Sequence, residues 1–140
     1  MKIPILEPPD GIEEVLNMDA VAVGSIDDMD LASSMQYKIA QFIAYVAQQY
    51  RIVNSAYNER NDYFIDNWNR LATNVAGKMS LTEKKAIALE QSERLKTVKK
   101  EVDELRMQKE LLEGWADHLQ NLYDVLKQMH YRLRLRDFGG

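Results

Sequence analysis

The sequence predicts an all-α protein: a long antiparallel helical hairpin with a short N-terminal helix or arm, assembling into a multi-helix homo-oligomer. Three observations lead there. Val98, Leu105, Leu112, Leu119, Leu126 and Leu133 recur every seven residues, which keeps them on one side of a slightly supercoiled helix. From Met35 to Val75, apolar residues follow three- and four-residue steps, the period of a helix that buries one stripe. Only a short stretch with Gly77 and Ser80 separates the two runs, and helices joined by so short a loop fold back on each other.

In chain order, Pro4, Pro8 and Pro9 interrupt the first segment, so Met1–Asp10 is expected to be an arm. Asp10 is placed to cap a short helix reaching about Met18, with Glu13 completing a capping box. Val21–Asp28 mixes β-branched residues, Gly24 and acids and reads as a linker. Residues 1–29 thus form an acidic N-terminal region, and 30–140 the hairpin. An acidic arm beside basic helices suits a flexible cover for a DNA site, a protein-docking segment or a merely solvated terminus.

The first long helix is expected over Asp30–Ala76. Met35, Ile39, Ile43, Val46, Tyr50, Val53, Tyr57, Phe64, Trp68, Leu71 and Val75 keep the helical period, and Asn61 takes an apolar slot as a register-setting residue, a bend or the end of tight packing. Five of the seven tyrosines lie between Tyr37 and Tyr63. Most flank the stripe, which favours packing over base stacking and leaves Tyr45 and Tyr63 as the stacking candidates. Gly77 ends the helix by adopting a left-handed conformation.

Ser80-Leu-Thr-Glu83 has capping-box spacing, and one helix is expected from Ser80 to Arg136. Leu95, Val102, Ala116 and Tyr123 sit three residues ahead of members of the heptad series, while Trp115, Leu122 and Met129 widen the face toward what more than one neighbour requires. The oligomerisation surface is accordingly expected at Leu105, Leu112, Trp115, Leu119, Leu122, Leu126, Met129 and Leu133. Early in this helix Lys84, Lys85, Arg94, Lys96, Lys99 and Lys100 are basic. Lys85, Lys96 and Lys100 fall on one side, since intervals of eleven and four approach whole turns. This ridge is able to neutralise phosphates without reading bases; the alternative is a solvated face balanced by Glu90 and Glu93. Gly114, inside the apolar-periodic region, points to a kink or a close helix contact beside Trp115. Tyr131–Arg136 alternates like a strand, but continuing the stripe as helix puts Arg132 and Arg136 on one face.

The net charge of −4 hides segregation: Lys78–Lys100 carries seven basic residues against three acids, whereas Met1–Tyr37 carries one lysine against eight acids. There is no cysteine, hence no disulfide or thiolate metal site. The start lacks an apolar h-region and no apolar run approaches membrane-spanning length, so a soluble intracellular protein is expected. No phosphate-cradling GxxxxGK[ST], GxGxxG or HExxH motif occurs. His118 and His130 are about 18 Å apart along one straight helix and cannot share a metal. No enzymatic activity, cofactor or metal is expected. The helices are also too long and too apolar for a helix-turn-helix reader.

Ser33-Ser34-Met35-Gln36-Tyr37 leading into a tyrosine-containing helix, and Lys84–Glu93 (KKAIALEQSE) leading through Leu111-Leu112-Glu113 to Lys127–Arg136 (KQMHYRLRLR), resemble the phage recombination mediator family over roughly Ser33–Phe138. The resemblance implies a non-enzymatic, ring-like homo-oligomer that binds single-stranded DNA and contacts a RecA-like recombinase and a single-strand-binding protein in DNA recombination and repair. It implies a cytoplasmic location, the host cytoplasm for a bacteriophage protein. Family members look basic near the end of the first long helix and just after it, where this chain offers Arg70 and Lys78. The expected DNA surface therefore shifts toward Lys84, Lys85, Lys96, Lys99 and Lys100, joined by Arg132 and Arg136. The alternative is a helical adaptor, chaperone or virion component without nucleic-acid binding.

Overall fold

The computed structural model describes residues 8–139, with side chains to Arg136. Among them are five helices and no strand: α1 (Ile12–Leu16), α2 (Ala20–Gly24), α3 (Met29–Thr73), α4 (Leu81–Gln91) and α5 (Glu93–Gly139). The chain is all-α. Residues 1–7 of the expected arm lie outside the described part.

Three local expectations change. The short first helix starts after Gly11, whose φ of 87° is the left-handed region, and no side chain caps it. Asp10 therefore does not close a capping box. The expected linker holds α2 instead, because the Asp19 carboxylate accepts a hydrogen bond from the Val21 amide at 2.7 Å and satisfies one of the helix's orphan donors. Finally, the second long helix is two helices. Ser92 adopts an extended backbone (φ −108°, ψ 106°), and its hydroxyl accepts from the Leu95 amide at 3.1 Å, so it ends α4 and caps α5. Ser80 does cap α4, accepting from the Glu83 amide at 3.2 Å. On the other long helix, Asp28 supplies the cap through bonds from the Asp30 and Leu31 amides. That helix stops at Thr73, short of Gly77, which keeps a positive φ of 114° within the following turn.

The chain divides into two compact units. The first is residues 51–110, holding the second part of α3, all of α4 and the start of α5. Phe64, Leu95, Val98 and Val102 form its core cluster, with Tyr57, Trp68 and Leu89 packed against it. Within this unit α3 and α5 run antiparallel: Tyr57 meets Arg106, Arg60 meets Glu101, and Tyr63 meets Arg94. The Arg60–Glu101 ion pair, 3.2 Å long with side chains 16% and 26% exposed, puts charge next to the half-buried Asn61. The polar break expected at Asn61 is thus shared with its neighbour.

The second unit joins the described residues up to Tyr50 with those from Leu111 onward. Here too α3 and α5 are antiparallel, with Ser33 bonded to His130 at 2.6 Å and Tyr50 donating to Glu113 at 3.1 Å. Ile12, Val15 and Val23 of the short helices are buried, as are Ala32, Ile39, Phe42 and Val46 of α3. Fully burying one Val or Ile side chain is worth about 1.5–3 kcal/mol, and burial of Ile12, Val15 and Val23 accounts for the short helices holding to the pair despite their length.

The heptad series of α5 is buried throughout, from Val98 to Leu133. Its companions change. In the first unit they precede it by three residues (Leu95, Val102), and in the second they follow it by three (Leu122, Met129), while Ala116 is exposed and Tyr123 half-buried. A period below 3.6 residues makes such a stripe wind around the helix in a left-handed sense. The breadth expected to serve additional neighbours is therefore one stripe that winds. Leu105, Leu112, Leu119, Leu122, Leu126, Met129 and Leu133 are covered within a single chain, and of the residues expected at an oligomer interface only Trp115 keeps substantial accessible surface. Gly114 has nothing within 4 Å of where a Cβ would stand, so no close helix contact forms there.

Candidate nucleic-acid interface

Charge divides between the units. Residues 51–110 carry twelve basic against ten acidic side chains, a surplus of two, whereas described residues 8–50 and 111–136 carry five basic against ten acidic. The ion pairs that Arg60, Lys96, Lys99 and Arg106 make with acids of their own chain all lie in the basic unit.

The expected lysine ridge is not continuous, because Ser92 breaks the helix on which whole-turn intervals were counted. Lys85 belongs to α4 and stacks over Trp68, its Nζ 5.1 Å from the ring centroid. Lys96 lies on α5 between Glu90 (3.6 Å) and Glu93 (3.4 Å). Lys99 is bonded to Asp103 at 3.1 Å, while Lys100 is exposed. Arg70 is bonded to the Asn67 side chain near the end of α3, Lys78 is exposed in the turn, and Lys84 is half-buried on α4. Arg132 and Arg136 are exposed in the second unit, where Arg136 donates to the Asp27 carbonyl at 3.3 Å.

The basic unit also brings aromatic rings and cations together in pairs that the lysine pattern did not reveal. Arg94 donates from Nε to the Tyr63 hydroxyl at 2.9 Å, with its guanidinium carbon 5.5 Å from the ring centroid. Tyr57 is flanked by Arg106 (5.9 Å) and Lys109 (5.1 Å). Trp68 donates its indole N–H to the Lys85 carbonyl at 2.8 Å, which fixes the ring beneath the Lys85 ammonium. The hydrogen bond and charge interaction with Tyr63 raise the Arg94 pKa, and those with Tyr57 raise that of Arg106. Both cations hold their charge at any physiological pH.

Such pairs combine a π face with a fixed positive charge, the two features that sequence-tolerant binding of single strands uses. Tyr63 is the open one, 36% exposed beside an exposed Arg94, and of the two tyrosines expected to be available, Tyr45 is half-buried. Tyr37, 69% exposed, is the more accessible ring but lies in the acidic unit. Sequence offered Tyr63 as a stacking candidate. Its pairing with a residue thirty-one positions away depends on the antiparallel packing.

No group of three or more histidine, cysteine or acidic side chains able to hold a metal occurs among the described residues. His130 bonds Ser33, and His118 is half-buried with Nε2 enclosed and unbonded. No described helix is long and apolar enough to cross a membrane. Comparison with protein-family models, curated proteins and solved structures finds no match to this chain.

Proposed function

We propose that this chain is a non-enzymatic recombination mediator: a long helical hairpin that self-assembles, holds single-stranded DNA on its basic unit and promotes loading of a RecA-like recombinase in place of single-strand-binding protein. The observation that carries the DNA-binding part is the Tyr63–Arg94 pair, an accessible ring joined to an accessible cation in the unit with surplus positive charge. Phosphate contacts from Lys100 and its neighbours add affinity without sequence preference. Repetition around an oligomer makes many weak contacts collectively strong. The recombinase-loading part rests on the family resemblance.

Fluorescent oligo(dT) and duplex of equal length, titrated across a salt series, test the proposal. Preference for the single strand is expected. Tyr63→Ala should weaken binding by about fivefold or more, since stacking is worth roughly 1–3 kcal/mol per base, and Arg94→Gln should lower the salt slope by about one. Absence of single-strand binding at low salt by folded protein refutes DNA binding; binding that leaves recombinase assembly on coated DNA unchanged refutes the mediator role.

A second reading, a helical adaptor or structural component whose charges serve solubility, is favoured by the pairing of Lys96, Lys99 and Arg106 with acids of their own chain. Under that reading the same titrations show no binding.

A further inference from the structure

A cleft of about 750 Å3 opens in the basic unit where the end of α3 and the following turn face α4. Its walls include Leu71, Val75, Met79 and Ile87, with Asn74 and Gln91 supplying polar groups. Leu71 stays 37% exposed although it closes the apolar stripe of α3, because the helix stops at Thr73 and the turn does not cover it.

No cation is among the residues that line the cleft, but Lys78 precedes Met79 in the turn and Lys84 lies one turn ahead of Ile87 on the same side of α4. From Asn67 to Leu89 four basic residues face a single acid, Glu83, in the first turn of α4. Of the acids flanking this stretch, Asp66 lies one turn before Arg70 on α3, while Glu90 and Glu93 share Lys96.

We propose that this cleft docks a peptide segment of a partner protein that alternates carboxylates with large apolar side chains. The apolar walls take the side chains, and Lys78 and Lys84 receive the carboxylates. Charge complementarity selects an acidic segment and steers its approach. Nucleic acid satisfies only the rim: no aromatic residue lines the cleft, so a base finds no ring to stack on. Leu71 and Ser92 also line the small pocket that holds Tyr63 and Arg94, so the cleft borders that pair; neither Tyr63 nor Arg94 lines the cleft, and the proposal stands whether or not the chain binds DNA.

The test uses the full chain and a short fluorescein-labelled peptide alternating aspartate with leucine, read by anisotropy. Two control peptides carry lysine for aspartate or serine for leucine. Saturable binding of the first peptide alone is expected, with about a tenfold loss in Lys78→Glu/Lys84→Glu and a several-fold loss in Ile87→Gln, both variants keeping the native far-UV circular dichroism. Absence of saturable binding by native protein overturns the proposal. So does equal binding of the serine control with no effect of Ile87→Gln, which leaves charge alone at work. Competition by oligo(dT) that is lost in the lysine variant and untouched by Ile87→Gln reassigns the rim to nucleic acid and overturns it as well.

Discussion

Replacing Gly114 by alanine should stabilise the protein. The residue lies inside α5, and a Cβ built there meets nothing within 4 Å. Glycine in a helix interior costs about 0.8–1 kcal/mol relative to alanine, through the backbone entropy lost on folding. With an unfolding entropy of about 2.1 cal/mol/K per residue, a gain of 1 kcal/mol in a chain of 140 residues corresponds to a rise in Tm of about 3 °C. Thermal unfolding followed by circular dichroism, at matched concentrations because any association of chains would make Tm concentration-dependent, measures it directly. Gly114→Gln adds bulk with a similar helix propensity and should give nearly the same rise. A fall in Tm for either variant refutes the open surroundings of Gly114 and means that another chain packs against this face of α5.

Other perturbations have equally definite outcomes. Leu119→Ala empties a fully buried position and should cost about 2–5 kcal/mol in urea unfolding; a loss under 1 kcal/mol contradicts the packing of the acidic unit. Ser92→Ala should cost about 1 kcal/mol by removing the cap of α5, whereas Ser92→Asp, which can still accept from the Leu95 amide, should cost far less; equal losses deny the cap. Glu101→Leu alone should destabilise by leaving Arg60 without its carboxylate in a mostly enclosed site, while Arg60→Leu with Glu101→Leu should recover most of the loss, as a double-mutant cycle will show.

Most of the helical content was legible because burial imposes a period. Every member of the Val98–Leu133 series is enclosed, and Ile39, Val46, Val53 and Phe64 mark the matching stripe of α3. Small residues were missed: Ala32, Ala56 and Ala72 are as buried as the large ones, since alanine fills positions where helices approach closely without announcing itself by hydropathy. The break at Ser92 is hard to read for the opposite reason, as a stripe continuing on both sides outweighs a single capping side chain. The missed α2 rested on the Asp19 cap against β-branched residues that disfavour helix.

The candidate site was less legible. Counting lysines along one uninterrupted helix placed Lys85 and Lys96 together, yet their surroundings depend on Trp68, Glu90 and Glu93, which helical spacing does not weigh. The Tyr63–Arg94 and Tyr57–Arg106 pairs join residues on different helices. Neither partner carries a local signal for the other, and only knowing the register of the fold-back identifies them.

The winding stripe of α5 restricts how this protein can change in length. Deleting one residue between Leu119 and Leu126 turns everything beyond it by about 100° and carries Leu126, Met129 and Leu133 away from the residues that enclose them. A seven-residue insertion there restores the facing but slides the strand of contacts along, so Ser33 no longer reaches His130 unless α3 gains the same length between Ile39 and Val46. Viable relatives should therefore differ in paired steps of whole heptads along the long helices, while single-residue gains and losses collect in the turn around Gly77 and in the short connections on either side of α2.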